Sequence, residues 1–167
     1  GMTFATQLVD RAGDRPMRVR ILSKAPVRVS NSFEAQGGVA AVMRPDDSFE
    51  QHVEDTLTVG AGRNDPAVVR LVVEQGPALV RGLVDLGARF DADAKGQLDL
   101  AREGGHSAAR VVHHQDRTGE EIVRVLHERV ERSTAIEVLD SWRAIDLLLE
   151  GEGEGRRCVG VSAMYLR

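Results

Sequence analysis

Between Gly1 and Leu22 the apolar pattern changes period, and this change constrains the fold more than any other feature of the chain. Ala5, Leu8, Val9 and Ala12 recur at i, i+3, i+4 and i+7, the stripe of a helix packed on one face. Gly13-Asp14-Arg15-Pro16 breaks that helix, and Met17, Val19 and Ile21 then alternate as a strand. A helix feeding a strand is half of a βαβ unit whose first strand is missing. Gly1-Met2 is either a cloning remnant or the end of a glycine-rich turn that opens the helix.

Further along, the pattern keeps alternating between the two element types. Ser23–Gly38 is rich in small and polar residues and reads as a loop, followed by a brief buried strand at Val39–Met43. Pro45-Asp46-Asp47-Ser48 starts a helix with Phe49, Val53 and Leu57 on one face, ended by Gly60-Ala61-Gly62. Asp65-Pro66 opens another, with Pro at the first helical position. Gly76-Pro77 is expected to interrupt it, so that Leu79, Val80, Leu83 and Val84 form a separate second helix to Gly87. Ala88–Asp116 loses the helical period and predicts irregular chain with short strands near Gln97–Leu100 and Arg110–His113. Thr118-Gly119-Glu120-Glu121 has the spacing of a capping box, starting a helix with Ile122, Val125, Leu126 and Val130 inward. Ile136–Leu139 reads as a strand, and Ile145–Leu149 with Cys158–Leu166 reads as a hairpin around Gly151–Gly155. The predicted class is α/β with an antiparallel excursion near the C-terminus.

Bulk properties remove several function classes. The 167 residues fit one domain, and 42% hydrophobic with 29% charged residues is a globular composition. Basic and acidic side chains, 22 and 26 of them, are interspersed with a net charge of −4, so there is no concentrated basic face for nucleic acid. Cys158 stands alone, which excludes an intrachain disulfide and makes a reducing, cytoplasmic setting the economical expectation. No apolar run approaches membrane-spanning length, and the first residues lack a signal-peptide layout.

Two strings carry chemistry. In Ser30-Asn31-Ser32-Phe33-Glu34-Ala35-Gln36-Gly37-Gly38, small residues let backbone approach a flat ligand and offer N–H groups to its acceptors, although a plain glycine turn explains the same composition. In Arg102-Glu103-Gly104-Gly105-His106-Ser107, glycines permit a tight bend that gathers both charge signs, as a solvated ion pair also would. His106, His113, His114 and Asp116 have ligating chemistry but match no metal signature, and adjacent His113 and His114 would point to opposite faces of a strand. Asp116-Arg117-Thr118-Gly119 is explained by helix capping alone.

Together, A-Q-G-G at Ala35–Gly38 and R-E-G-G-H-S resemble the L-aspartate oxidase branch of the succinate dehydrogenase and fumarate reductase flavoprotein superfamily. The resemblance runs from about Gly1 to Arg167, and it implies a partial Rossmann-like FAD-binding domain over 1–167 with an inserted antiparallel hairpin or meander. It implies that the chain starts inside the family's first G-x-G-x-x-G motif, with Gly1 as its last glycine, and stops before the arginine that accepts the substrate proton. FAD contacts are implied for Gly1, Lys24, Asn31, Ser32, Phe33, Glu34, Ala35, Gln36, Gly37 and Gly38. Glu34 departs from the aromatic or small residue expected there. Asn31 stands where respiratory relatives carry a flavin-linking His, which implies non-covalent FAD. Glu103 and His106 are implied to orient substrate: L-aspartate differs from succinate by an ammonium group, which a carboxylate stabilises. The implied reaction oxidises L-aspartate to iminoaspartate, with oxygen or fumarate reoxidising the flavin. Its product enters NAD biosynthesis through quinolinate synthase, the implied metabolic partner. A fumarate reductase or succinate dehydrogenase flavoprotein, or a non-catalytic fold fragment, is the alternative.

Overall fold

The change of period at Gly13 builds the first of two units. α1 (Met2–Ala12) buries Ala5, Thr6 and Ala12 and stops where Gly13 turns to a positive φ of 56°. The chain then enters β1 (Val19–Ser23), which pairs in parallel with β5 (Ile136–Asp140) through Val19↔Ile136 to Ser23↔Asp140. In the computed structural model, which describes residues 1–166, residues 1–30 and 126–166 form this unit, and residues 31–125 form the other. The first unit also carries the expected hairpin, β6 (Trp142–Glu150) antiparallel to β7 (Arg157–Tyr165), joined through a 3-10 turn at Gly153–Gly155. The α/β expectation therefore holds with both a parallel and an antiparallel sheet.

In the second unit the short strands β2 (Val39–Ala40), β3 (Leu100–Ala101) and β4 (Val111–Val112) form an antiparallel sheet in the order β2-β4-β3. α2 (Phe49–Val59) and α3 (Pro66–Asp85) enclose a core of Val53, Val69 and Val73, flanked by Phe49 and Leu57. Both helices are capped as their sequences require. Ser48 Oγ accepts the Gln51 N–H at 3.1 Å, and the Asp65 carboxylate accepts N–H groups of Ala67 and Val68 with Pro66 as the first helical residue.

Two expectations fail here. α3 is one helix, running through Gly76-Pro77 instead of breaking there. Proline inside a helix forfeits a hydrogen bond at a cost of about 3 kcal/mol. However, Val69, Val73, Pro77 and Val80 are all buried along one face, so burial outweighs the local penalty. Gly76 lies against Ala41 and the Ala40 carbonyl, a close approach that spacing alone does not reveal. The capping box at Thr118 is also absent. α4 (Thr118–Glu131) starts at Thr118, whose hydroxyl accepts the His114 N–H, while Glu121 turns to Arg124 and to the Arg89 N–H. Buried Glu121 is worth more as the partner of a guanidinium than as a cap. No helix of the described residues is long and apolar enough to cross a membrane.

Candidate cofactor and substrate site

The two glycine strings, far apart in sequence, meet in the second unit. Glu103 Oε1 stands 3.9 Å from the point where a side chain on Gly37 would begin, so the carboxylate faces the backbone of A-Q-G-G. Gly38 has no room for a Cβ against Val111 and the Val112 carbonyl, which makes it a packing glycine of β2 and β4. Gly105, at φ 85°, presses on Val59 of α2. The loop closes on itself, since Arg102 Nε donates to the His106 carbonyl at 2.8 Å and the His106 N–H donates to the Glu103 carbonyl at 3.2 Å.

Asn31–Gln36 is supported by the start of α4. The Gly119 N–H donates to the Ala35 carbonyl at 2.8 Å, Gln36 Nε2 donates to Asp116 Oδ2 at 3.1 Å, and a Cβ on Gly119 would collide with the Ser32 and Ala35 carbonyls. Asp116-Arg117-Thr118-Gly119 therefore does more than begin a helix: it shapes the loop beside it. Between them lies a crevice of about 820 Å³ lined by Phe33, Glu34, Ala35, Gln36, Asp116, Arg117 and Glu120. In the first unit, Lys24 follows the carboxyl end of β1 and lines a separate crevice of about 560 Å³ with Leu22, Ser23, Trp142, Arg143 and Ala144. Gly1 is the N-cap of α1. The site residues expected from sequence thus divide between the units, Gly1 and Lys24 in the first and Asn31–Gly38, Glu103 and His106 in the second.

The family described as "FAD binding domain" matches residues 1–166. This chain belongs to that FAD binding domain family. FAD is accordingly its cofactor. Among relatives, "L-aspartate oxidase 2-b, chloroplastic" of Nicotiana tabacum is 45% identical over 147 residues, covering 88% of this chain and 23% of the relative. "L-aspartate oxidase 1" of Ralstonia nicotianae is 39% identical over 165 residues, covering 96% of this chain and 30% of the relative. The chain thus spans roughly a quarter of the curated relatives it matches. Among solved structures, an Escherichia coli quinol fumarate reductase FrdA variant superposes with a TM-score of 0.85 at 27% identity, covering 98% of this chain and 28% of that one.

The two crevices, one in each unit, differ in charge. FAD joins an uncharged ring to an anionic pyrophosphate. The crevice beside Ala35 brings the carboxylates of Glu34, Asp116 and Glu120 against the single guanidinium of Arg117, so it disfavours an anionic group such as phosphate. The crevice beside Lys24 has Lys24 and Arg143 and no acid, at the carboxyl end of a parallel strand pair, the position where such sheets receive nucleotide ligands.

Sequence reasoning missed the residues beneath the loop. Arg110 is fully buried and forks onto Asp47, with Nε to Oδ2 at 2.8 Å and Nη2 to Oδ1 at 2.7 Å. Its Nη1 donates to Asp55 Oδ2 at 2.6 Å. Burial acts to raise the Asp55 pKa, but hydrogen bonds from the Ser107 N–H, the Ser107 hydroxyl and Arg110 prevail and hold it at about 2. A charged residue directly before the buried pair Val111-Val112 was the available signal, because a buried charge needs a partner. His52, also missed, is buried edge-on to His106 with ring centroids 6.1 Å apart, and burial followed by the Arg110 charge lowers its pKa. His113 and His114 do not diverge as expected. β4 ends at Val112, and both imidazoles stand beside Asp91, His113 Nδ1 at 3.0 Å and His114 Nδ1 at 3.7 Å. Among the described residues no cluster of three or more His, Cys, Asp or Glu could hold a metal.

Proposed function

We propose that this chain is the partial, Rossmann-like FAD-binding domain of an L-aspartate oxidase, converting L-aspartate to iminoaspartate, with oxygen or fumarate reoxidising the cofactor. The observation that carries it is the approach of Glu103 to Gly37, which joins the string typical of the substrate loop to the string typical of the flavin loop. Bound FAD supplies the two-electron acceptor. Gly1 and Lys24 in the first unit, and Asn31, Ser32, Phe33, Glu34, Ala35, Gln36, Gly37 and Gly38 in the second, are the residues assigned to FAD. Asn31 cannot form the covalent link of respiratory relatives, so the FAD is dissociable. Glu103 receives the substrate ammonium and His106 orients the same molecule. The product enters NAD biosynthesis through quinolinate synthase. The lone Cys158 favours a cytoplasmic setting, against which stands the chloroplastic name of the tobacco relative.

A fumarate reductase or succinate dehydrogenase flavoprotein is the second reading, favoured by the TM-score of 0.85 to the quinol fumarate reductase variant. Asn31 and Glu103 separate the two. The test grafts residues 1–166 of this chain into the Ralstonia L-aspartate oxidase over the matched region and compares Glu103→Gln with the parent graft. Only L-aspartate brings an ammonium for Glu103, and a charge-assisted contact contributes about 1.5–3 kcal/mol. The ratio of kcat/KM for L-aspartate to that for fumarate should fall roughly ten- to a hundredfold. Equal losses for both substrates would leave Glu103 as a loop support and favour the second reading.

A further inference from the structure

We infer that Asp55 and Arg110 are positioning residues that act on substrate through Ser107, by holding the Arg102–Ser107 loop in the geometry that aims Glu103. The inference rests on the function proposed above and adds residues that touch neither cofactor nor substrate. Asp55 Oδ2 is the focus. It accepts the Ser107 N–H at 2.8 Å, the Ser107 hydroxyl at 2.7 Å and Arg110 Nη1 at 2.6 Å. Three donors on one oxygen leave it little freedom to move.

Arg110 is itself immobilised from both ends. Its guanidinium is fully buried and forked onto Asp47, which precedes the Ser48 cap of α2. Its backbone is tied into the sheet, the N–H to the Ala101 carbonyl at 3.1 Å and the carbonyl to the Ala41 N–H at 2.9 Å. The anchor therefore joins the start of α2, the body of α2 and the sheet, and the loop leaves the sheet at Ala101 and returns to it at Arg110. Within this frame Ser107 fixes the far end of the loop and Gly105 rests on Val59. Glu103, exposed on the near end, makes none of these contacts and is left to face Gly37.

Such an arrangement sets affinity by preorganisation. A carboxylate on a loose loop must be ordered when an ammonium binds, and that ordering is subtracted from the binding free energy. The expected signature is a change in KM for the substrate that bears the ammonium, with kcat nearly unchanged. A purely structural role would lower stability and impair both substrates alike.

The experiment uses the FAD-loaded graft described above with Ser107→Ala, Asp55→Asn and the double variant Ser107→Ala with Glu103→Gln. Ser107 is exposed, and its truncation removes the hydroxyl from Asp55 and Arg110 while its backbone N–H stays on Asp55. Ser107→Ala is expected to raise KM for L-aspartate about three- to tenfold, the effect of roughly one hydrogen bond. KM for fumarate and kcat should change less than about twofold, and amide hydrogen exchange across residues 103–107 should quicken. Asp55→Asn, which keeps an acceptor but weakens the hold on Arg110, should move the same quantities in the same direction. In the Glu103→Gln background, Ser107→Ala should add nothing to KM for L-aspartate, because the loop then has no charge to aim. Additive effects of the two substitutions would overturn the inference. So would unchanged exchange across 103–107, whatever Glu103→Gln does. If the loop loosens while Glu103→Gln alone alters neither substrate, the anchor is real but the substrate role of Glu103 is wrong, and the inference falls with that role.

Discussion

Gly119 shows how one residue can matter for the site without bearing a functional group. Its missing Cβ lets α4 begin directly beneath the carbonyls of Ser32 and Ala35, and its N–H donates to the second of these. Gly119→Ala should push the Asn31–Gln36 segment away and lower stability by about 1–3 kcal/mol, as overpacking does. Thermal denaturation followed by circular dichroism would measure the loss, and lowered FAD content in the purified protein would accompany it. Asn31 makes a separate prediction at the same scale. Acid precipitation of the FAD-loaded protein should release the yellow cofactor into the supernatant, and flavin retained by the denatured chain would contradict the non-covalent assignment.

At the scale of elements, α3 illustrates local rules being obeyed at one end and overridden in the middle. Asp65 and Pro66 start it as their chemistry requires, and Asp65→Ala should cost about 1 kcal/mol in urea denaturation through the lost cap. Gly76-Pro77, a strong breaker by itself, is carried through because the buried face continues on both sides of it. Thr118 and Glu121 are the converse case. Their spacing allows a capping box, but Arg124 and Arg89 offer Glu121 better partners, and the hydrogen bond from Arg124 is the largest influence lowering its pKa. Neither outcome could be read locally, since each depends on groups that only the packed chain brings near.

For the molecule as a whole, acid should expose the buried anchor. The folded pKa of Asp55, about 2, lies below its ordinary 3.8, so its contribution to stability is complete above about pH 4 and is lost as pH falls through 2. Glu121 is also lowered, chiefly by the hydrogen bond from Arg124, so its contribution is likewise lost in acid. Urea denaturation between pH 5 and 2 should show stability falling, with Asp55 responsible for about 1–2 kcal/mol, and Asp55→Asn should flatten the curve. By itself the sequence determined the α/β class, the capped helix starts at Ser48 and Asp65, the C-terminal hairpin and the two glycine strings, because period and turn chemistry act between near neighbours. Tertiary structure alone decided the continuity of α3, the partners of Glu121, the meeting of Glu103 with Gly37 and the anchor of Arg110 on Asp47 and Asp55. A buried charge chooses partners by distance in space, and Arg110 is separated in sequence from both of its carboxylates by more than fifty residues.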